Sequence, residues 1–397
     1  MLIRVVPTGR VEPECPLKRW TALVSSEGQR PSTTAGTLRV TNVSFELQTG
    51  RRDWVLSDAD SRLSVVIFEL IKKATNQQVV RDFLKERGVA TSGNWDELYE
   101  KRILPALRQS IFTVTDLRAL LQTVEEYGRQ HTFLYQCTPE RAQGLINPVR
   151  VRAIAREENL GALLDTPLDI DFPDSPTIVD IRVFHPDPNL IPVSLTIKII
   201  EKRITKVFES ESIDHDAGTI TKKYNFTEKR AVNIATLNHE GLLELRIASQ
   251  DNSTKYTNLV RDMLMRIRKF IPIDGFGTTS LGAAKDKILK DRAALAHEFR
   301  YSNSTAVNDL GAVLQISSSS QDDNLSSDNG SMAAIDSFLA GDGHVTGANV
   351  YAKIPDTDPQ REIHLLLGGD INEFAVPGAC SAGDYSYVRG KVISLNT

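Results

Sequence analysis

Residues 277–282 have the two-glycine spacing of a phosphate-binding loop and lead into a helical segment whose free amide groups would bind phosphate. A nucleotide-hydrolysing loop of this kind continues with lysine and then with serine or threonine. Here Ala283 and Ala284 occupy those two positions, and Lys285 comes two residues late. The segment is therefore interpreted as a connector, with a passive phosphate contact as the alternative to a purely structural role.

Asp180 is the candidate for a metal-dependent nuclease. Such enzymes place one acid on a strand, and an acid and a lysine two residues apart on the next, to bind a divalent ion and activate water. Glu201 and Lys202 are adjacent, so their side chains would point to opposite faces of a strand. No Glu-x-Lys segment occurs in the chain. Surface charge is the simpler interpretation, and a divergent nuclease is the alternative.

Three other catalytic patterns fail at a required position. The Asp-His-Asp segment at residues 214–216 precedes the turn residue Gly218, has no second histidine nearby and predicts a turn. His297 and Glu298 begin a zincin-like signature, but Tyr301 stands where the second histidine is needed. No Gly-x-Ser-x-Gly elbow is present. We predict no catalytic residue, metal ligand or cofactor, and the sequence favours a protein that is not an enzyme.

A basic amphipathic helix is predicted over residues 254–271. Apolar residues recur there at three- and four-residue intervals and gather on one face, whereas the opposite face carries cations and Asp262. A second helix with basic residues follows the two-glycine connector. We expect these two helices to contact phosphates of DNA or RNA, or another anionic partner. The candidate binding residues are Lys255, Arg261, Arg266, Arg268, Lys269, Lys285, Lys287, Lys290 and Arg292.

A solvated helix is the alternative explanation of the basic face, since cations in a last turn favour the helix dipole. Further basic pairs are weak signals. Arg150 and Arg152 alternate with valines, which would place both on one side of an extended segment. Tyr224 and Phe226 lie beside a lysine pair, and alternation makes them equally good core residues.

The first half of the chain divides into a β element and a helical bundle. Residues 1–56 predict strands, with Gly50 in a turn between the last two. Residues 57–165 predict a helical bundle, because apolar residues recur at helical intervals, with a helix capped at Thr115. Residues 131–137 form a predicted strand inserted in that bundle.

The second half predicts an antiparallel sheet followed by an acidic region. About six strands lie at 178–184, 193–200, 204–208, 219–226, 231–236 and 242–247, too close for crossover helices. Residues 176–300 are therefore an antiparallel sheet, or a small barrel, covered by the basic helices. Residues 301–397 are a small β-rich domain with a serine-rich loop at 317–331 and strands at 346–353, 362–367 and 385–395. The fold class is multidomain α+β.

Composition narrows the class of protein. Residues 301–397 hold twelve acids and four bases, whereas the remainder holds 39 acids and 43 bases, so an acidic region follows a mildly basic one. Three scattered cysteines do not form a disulfide framework, and no apolar run has the length of a signal peptide or a membrane span. We expect a cytoplasmic protein with no membrane partner.

These observations favour a non-catalytic subunit of a multiprotein assembly that binds nucleic acid or another anionic partner through the basic helices. The first alternative is a structural subunit that contacts only proteins. The second is the divergent metal-dependent nuclease built on Asp180.

Overall fold

The computed structural model describes residues 56–250 and 256–397, except residues 319 and 321. The β element predicted for residues 1–56 and the candidate Lys255 therefore lie outside the described residues, apart from Leu56. Helices and a large antiparallel sheet confirm the α+β class. The α-helices are α1 Asp58–Ala74, α2 Gln77–Glu86, α3 Trp95–Leu98, α4 Leu104–Arg108, α5 Val114–Glu126, α6 Pro139–Leu145, α7 Pro148–Glu157, α8 Thr257–Ile267, α9 Gly282–Lys290, α10 Asn329–Ala340 and α11 Ala382–Leu395.

Helices α1–α5 form the predicted bundle around one apolar core. A π-helical turn, Tyr99–Ile103, joins α3 to α4, where Pro105 occupies the first turn. Helix α5 begins with a capping box in which Thr113 and Asp116 bond each other's backbone amides. The cap predicted at Thr115 is thus wrong by two positions, because Thr113 has the extended backbone that a cap requires.

The strands form one open antiparallel sheet in the order β2-β3-β4-β5-β1-β11-β10-β9-β7-β8, with short β6 also paired to β1. Because β1 pairs with β5 on one side and β11 on the other, the sheet crosses the predicted boundaries near residues 165 and 300. The strands are β1 Gly128–Gln136, β2 Thr177–Phe184, β3 Ser194–Asp214, β4 Thr219–Asn238, β5 Leu242–Ala248, β6 Gly277–Thr278, β7 Phe299–Val307, β8 Val313–Ser317, β9 His344–Lys353, β10 Glu362–Leu367 and β11 Glu373–Ala379.

The sheet has a different core on each face. Phe133 of β1 packs in a cluster with α6, α7 and α8. The adjacent Leu134 packs in a second cluster with α9, α10 and α11. Since successive side chains of a strand point to opposite faces, α8 and α9 cover opposite faces of the sheet.

Two segments predicted to be extended are helices. Residues 385–395 lie in α11, which begins with a capping box at Ser381 and buries residues at three- and four-residue intervals. Arg150 and Arg152 lie in α7, which is capped by Asn147 and has Pro148 in its first turn. The serine-rich loop is shorter than predicted, because a 3-10 turn at Leu325–Ser327 and the start of α10 lie inside it. Among the described residues, every helix is too short or too polar to cross a membrane.

Candidate functional site

Helix α8 is the predicted basic helix, and it has the predicted orientation. Val260, Met263 and Ile267 are buried against β1 and β5. Arg261 lies on the outer face, with 70 % of its side chain exposed, and Arg268 is also exposed. A positively charged outer face therefore exists on this helix.

Part of that charge is compensated within the chain. Arg266 donates a hydrogen bond to the backbone carbonyl of Pro176 at 2.9 Å. Lys269 lies 3.8 Å from a carboxylate oxygen of Glu157 and 3.5 Å from one of Glu158. Arg261 lies 3.7 Å from a carboxylate oxygen of Asp262, and because both side chains are exposed this pair is weak. The predicted residues of this helix that are most available to a partner are therefore Arg261 and Arg268.

The cations of α9 are more strongly engaged than those of α8. Lys285 is only 4 % exposed, and burial lowers its pKa. Lys290 pairs with Asp286 at 2.8 Å, and Arg292 donates to both carboxylate oxygens of Asp336 at 2.7 and 2.6 Å. Lys287 is partly exposed. Most of the predicted charge of α9 therefore serves internal contacts.

The two basic helices do not share a surface, because α8 and α9 pack on opposite faces of the sheet. The nine candidate residues are thus divided into separate groups, and Lys255 is outside the described residues. Binding of nucleic acid by these residues stays a prediction.

The two-glycine connector is part of the sheet and of a helix start. Gly277 and Thr278 form β6 and pair with β1. At the beginning of α9, the amide of Gly282 donates to the Ser280 hydroxyl, and that of Ala284 donates to the Asn396 side chain. Since neighbouring groups already accept from these amides, the helix start offers few donors to a phosphate.

Asp180 lies in a buried group of charged side chains. It is 1 % exposed, and its carboxylate lies 2.8 Å from the Arg182 guanidinium. Burial raises the pKa of Asp180 to about 6, against the opposing influence of Arg182. The Asp180 carboxylate is thus paired with an arginine, whereas a nuclease would use it to bind a hydrated metal ion. Among the described residues, no group of three or more histidine, cysteine, aspartate or glutamate side chains has metal-binding geometry.

The same group of charges connects the helical bundle to the sheet. Glu125 and Glu126, at the end of α5, both pair with Lys198 of β3, at 2.8 and 3.4 Å. Glu126 also accepts from Arg182. Burial raises the pKa of Glu126, but Lys198 and Arg182 lower it further, so the net shift is downward. Each buried charge has a partner of opposite sign, as such sites require.

A cavity of about 320 Å³ lies beside these charges, between the end of α5, the sheet and α11. Arg246 lies between the rings of Tyr127 and Tyr385, 5.3 and 5.2 Å from their centroids, and donates to the backbone carbonyl of Glu126. Glu244 accepts from Arg389 at 2.6 Å. Many polar groups of the cavity residues are thus engaged with one another, but among the described residues the buried Nε atoms of Arg182, Arg246 and Arg389 have no hydrogen-bond partner.

The two described cysteines, Cys137 and Cys380, are poor nucleophiles in this structure. Burial raises the pKa of both thiols, that of Cys380 to about 11. Because the thiolate is the reactive form, neither is activated.

A long β-ribbon extends beyond the sheet, and the sequence pattern does not predict its length. Strand β3 is 21 residues long and β4 is 20, and they pair along their full lengths up to the turn at Gly218. From residue 207 to residue 229 every side chain is exposed, so neither face of this part packs on the other described residues. We call residues 203–229 the arm. Its strands span about 40 Å at the usual rise per residue.

The root of the arm is held on both faces. On one face, the Arg230 guanidinium pairs with Glu125 and donates to the Ile170 carbonyl. On the other, Arg203 donates to the carbonyl of Ala248 and to the side chain of Asn233. The arm is therefore attached to the body through charged contacts.

One face of the arm is largely apolar, and we call it the apolar face. Directly paired residues share a face, and here Phe208 pairs with Tyr224, their ring centroids 5.8 Å apart, and Ile213 pairs with Ile220. The exposed fractions of its apolar residues lie between 49 % for Tyr224 and 67 % for Phe226. The apolar face consists of Ile204, Phe208, Ile213, Ile220, Tyr224 and Phe226.

A β-bulge at Glu209 keeps these residues together. The pairing shifts by one residue between Phe208 and Ser210, so Ile213 lies on the same face as Phe208 although five positions separate them. If Glu209 were instead paired in a regular ladder, Ile213 would point to the opposite face. On that opposite face Val207, 57 % exposed, is surrounded by threonine, asparagine and charged side chains.

The turn of the arm confirms the interpretation of the Asp-His-Asp segment. The Asp214 carboxylate accepts from the amides of Asp216 and Ala217 at 3.0 and 2.9 Å, and Gly218 has a φ of +65°.

No known protein-family model and no curated protein sequence matches this chain.

Proposed function

We propose that this protein is a non-catalytic structural subunit, and that the apolar face of its arm docks on another protein chain. The observation that carries the proposal is the arm itself, with six large apolar side chains aligned on a ribbon that packs on nothing else in the described chain. Exposed apolar surface of this extent is typical of interaction sites. The alternating pattern that confines it to one face is typical of a strand pair with one buried face.

The contacts and pKa values of the candidate catalytic groups also support a non-catalytic function. Asp180 is engaged by Arg182, both described thiols have raised pKa values, and many of the cavity polar groups bond one another. Asp180 and Arg182 belong to the charged group that joins the helical bundle to the sheet. None of the candidate catalytic groups combines an open position with an activated nucleophile or base.

Site-specific photo-crosslinking tests the docking. A photoreactive amino acid replaces Phe226 on the apolar face and, as the matched control, Asn225 on the opposite face of the same strand. We expect a covalent protein adduct from position 226 and little from position 225, with the linked peptide identified by mass spectrometry. No adduct from position 226, or equal adducts from both positions, would refute the proposal.

An anionic partner for α8 is the second candidate function, favoured by the exposed guanidinium groups of Arg261 and Arg268. A gel-shift titration with single- and double-stranded DNA and RNA tests it over a range of salt concentrations. Arg261→Glu with Arg268→Glu should weaken binding and reduce its salt dependence. Lys287→Glu with Lys290→Glu on α9 is the control. Equal binding by both variants, or none by the wild type, would exclude α8 as the site.

A further inference from the structure

We infer that the partner of the apolar face is the apolar face of a second copy of this chain, with the two arms packed face to face and antiparallel about a two-fold axis. This inference rests on the proposed function and names its partner. It follows from the size of the apolar face and from the order of charges along it.

The size of the face fits a two-fold interface. At the observed exposed fractions, the six side chains present about 700 Å², above the roughly 300–600 Å² of the largest apolar patch on a typical monomer. Two such faces in contact would bury at most about 1,400 Å², the full exposed area of both, which lies within the range of stable protein interfaces. The apolar area of two arms is therefore of the size that a stable dimer needs.

On this side of the arm, the six apolar residues and four charged residues form five directly paired positions, equally spaced along β4. From root to tip they are Ile204 with Glu228, Lys206 with Phe226, Phe208 with Tyr224, Glu211 with Lys222, and Ile213 with Ile220. The central pair is aromatic, and the outer pairs carry isoleucines. The bulge at Glu209 falls on β3, so the spacing along β4 stays two residues throughout.

The order of these five pairs from root to tip is complementary to the same order read from tip to root. When a second arm is laid antiparallel on the first with β3 over β3, the aromatic pair meets its own copy. Lys206 then meets Glu211 of the second copy, an opposite charge that also pairs with Lys222 of its own arm at 3.1 Å. By symmetry the same contact occurs twice.

The remaining contacts are also compatible. Phe226 meets Lys222 of the second copy, which suits a cation–π contact, and Ile204 meets Ile213. Glu228 is already paired with Lys202 at 3.1 Å, so its carboxylate is neutralised at the root. The antiparallel arrangement also places the two bodies at opposite ends of the paired ribbon.

Sedimentation equilibrium of the purified full-length protein tests the inference. We expect the wild type to reach twice the 44.0 kDa mass of the chain in the micromolar range. Phe208→Ser with Phe226→Ser should raise the dissociation constant about tenfold or more, whereas Val207→Ser on the opposite face should leave it unchanged. Circular dichroism and thermal melting of each variant establish that the body is folded.

Charge reversal tests the two-fold geometry. Lys206→Glu places two acids opposite each other in a homodimer, and Glu211→Lys places two lysines opposite each other, so each variant alone should dissociate. An equimolar mixture of the two variants should dimerise, because both cross-arm contacts then join opposite charges. A mixture that stays monomeric refutes the antiparallel register.

The remaining outcomes separate this inference from the proposed function. A monomeric wild type refutes self-pairing through the apolar face. A dimer that survives Phe208→Ser with Phe226→Ser refutes it as well, because such a dimer would indicate edge-to-edge pairing of strands. If a photoreactive group at position 226 instead links a protein of different sequence, self-pairing is refuted and the docking function stands. If that position links nothing, both are refuted.

Discussion

One terminal nitrogen of Arg182 lies 2.8 Å from each of the two carboxylate oxygens of Glu126. The pair joins β2 to the end of α5, and Glu126 is 2 % exposed. Removal of this carboxylate leaves Asp180 as the remaining acidic partner of Arg182 and Glu125 as that of Lys198, so each of the two cations loses an opposite charge in a region of low dielectric.

Glu126→Ala should therefore lower the free energy of unfolding by about 3 to 5 kcal/mol. Urea denaturation followed by circular dichroism measures the change. Asp96→Ala is the control, because the Asp96 side chain is 81 % exposed and its ion pair with Lys72 spans 3.6 Å. That substitution should change stability by less than about 1 kcal/mol, and similar losses for both variants would contradict the structural role of Glu126.

Asp180 should make stability depend on pH. Its pKa is about 6 in the folded protein against an ordinary value of 3.8, so the folded state holds the proton more tightly than the unfolded chain. The resulting stabilisation is complete below about pH 3.8 and is lost as the pH rises through about 6.

The comparison with Asp180→Asn isolates this effect. The wild type should lose about 1 to 3 kcal/mol relative to the variant between about pH 4 and about pH 7.5, since one pKa unit corresponds to about 1.4 kcal/mol. Urea denaturation at a series of pH values measures the difference. A difference that does not change with pH would show that burial does not raise the pKa of Asp180.

Deletion of Glu209 should leave association through the arm in place. The deletion removes only the bulged residue, so the pairs on either side of it continue as a regular ladder and Ile213 stays on the face of Phe208. Sedimentation equilibrium should show a dimer with an unchanged thermal transition, and Phe208→Ser with Phe226→Ser is the control that dissociates. A monomer after the deletion would show that association requires the bend of the bulged strand and not the shared face alone.

Two glycines with positive φ should differ in their tolerance of alanine. A Cβ added at Gly218 would point into open space, so Gly218→Ala should cost only the strain of its φ of +65°, about 1 kcal/mol. At Gly241, with a φ of +95°, a Cβ would lie 2.1 Å from the carbonyl oxygen of Cys137. Gly241→Ala should cost well over about 2 kcal/mol by urea denaturation, and equal costs would mean that β5 shifts to admit the methyl group.

Lys285 should destabilise the folded protein while it is charged. Burial lowers its pKa from the ordinary 10.5, although Glu373 and Asp370 oppose the shift. Because the folded state favours the neutral amine, the wild type should gain stability relative to Lys285→Met as the pH rises from neutrality toward 10.5. Urea denaturation measures the gain, and the opposite slope would indicate that the two acids outweigh burial.

The sequence predicts the helical bundle, the antiparallel strands and the buried side of α8, because each depends on local periodicity. It does not predict how far β3 and β4 extend. Glu201 and Lys202 fall between two predicted strands, but they pair with Ala231 and Arg230 and continue the ribbon. Polar residues occur both in loops between strands and in solvent-exposed strands. Their presence therefore does not show which of the two structures a segment forms.

The sequence indicates the apolar face of the arm only in part, because the β3 side of that face depends on the bulge. Ile220, Tyr224 and Phe226 alternate along β4, and such alternation is equally typical of core residues. Which residues of β3 share their face is decided by the extra residue Glu209, which only the pairing reveals. The ion pair of Arg292 is likewise unpredictable, since its partner Asp336 is 44 positions away.

The place of β1 in the sheet also has a consequence for synthesis on the ribosome. His131 of β1 contacts Glu373 of β11, 242 positions later in the chain. At ordinary translation rates, about 10 to 50 seconds separate the emergence of the two strands. During that interval one edge of β1 has no partner, and a nascent chain that stalls before β11 should be a preferred substrate for chaperones and prone to aggregation.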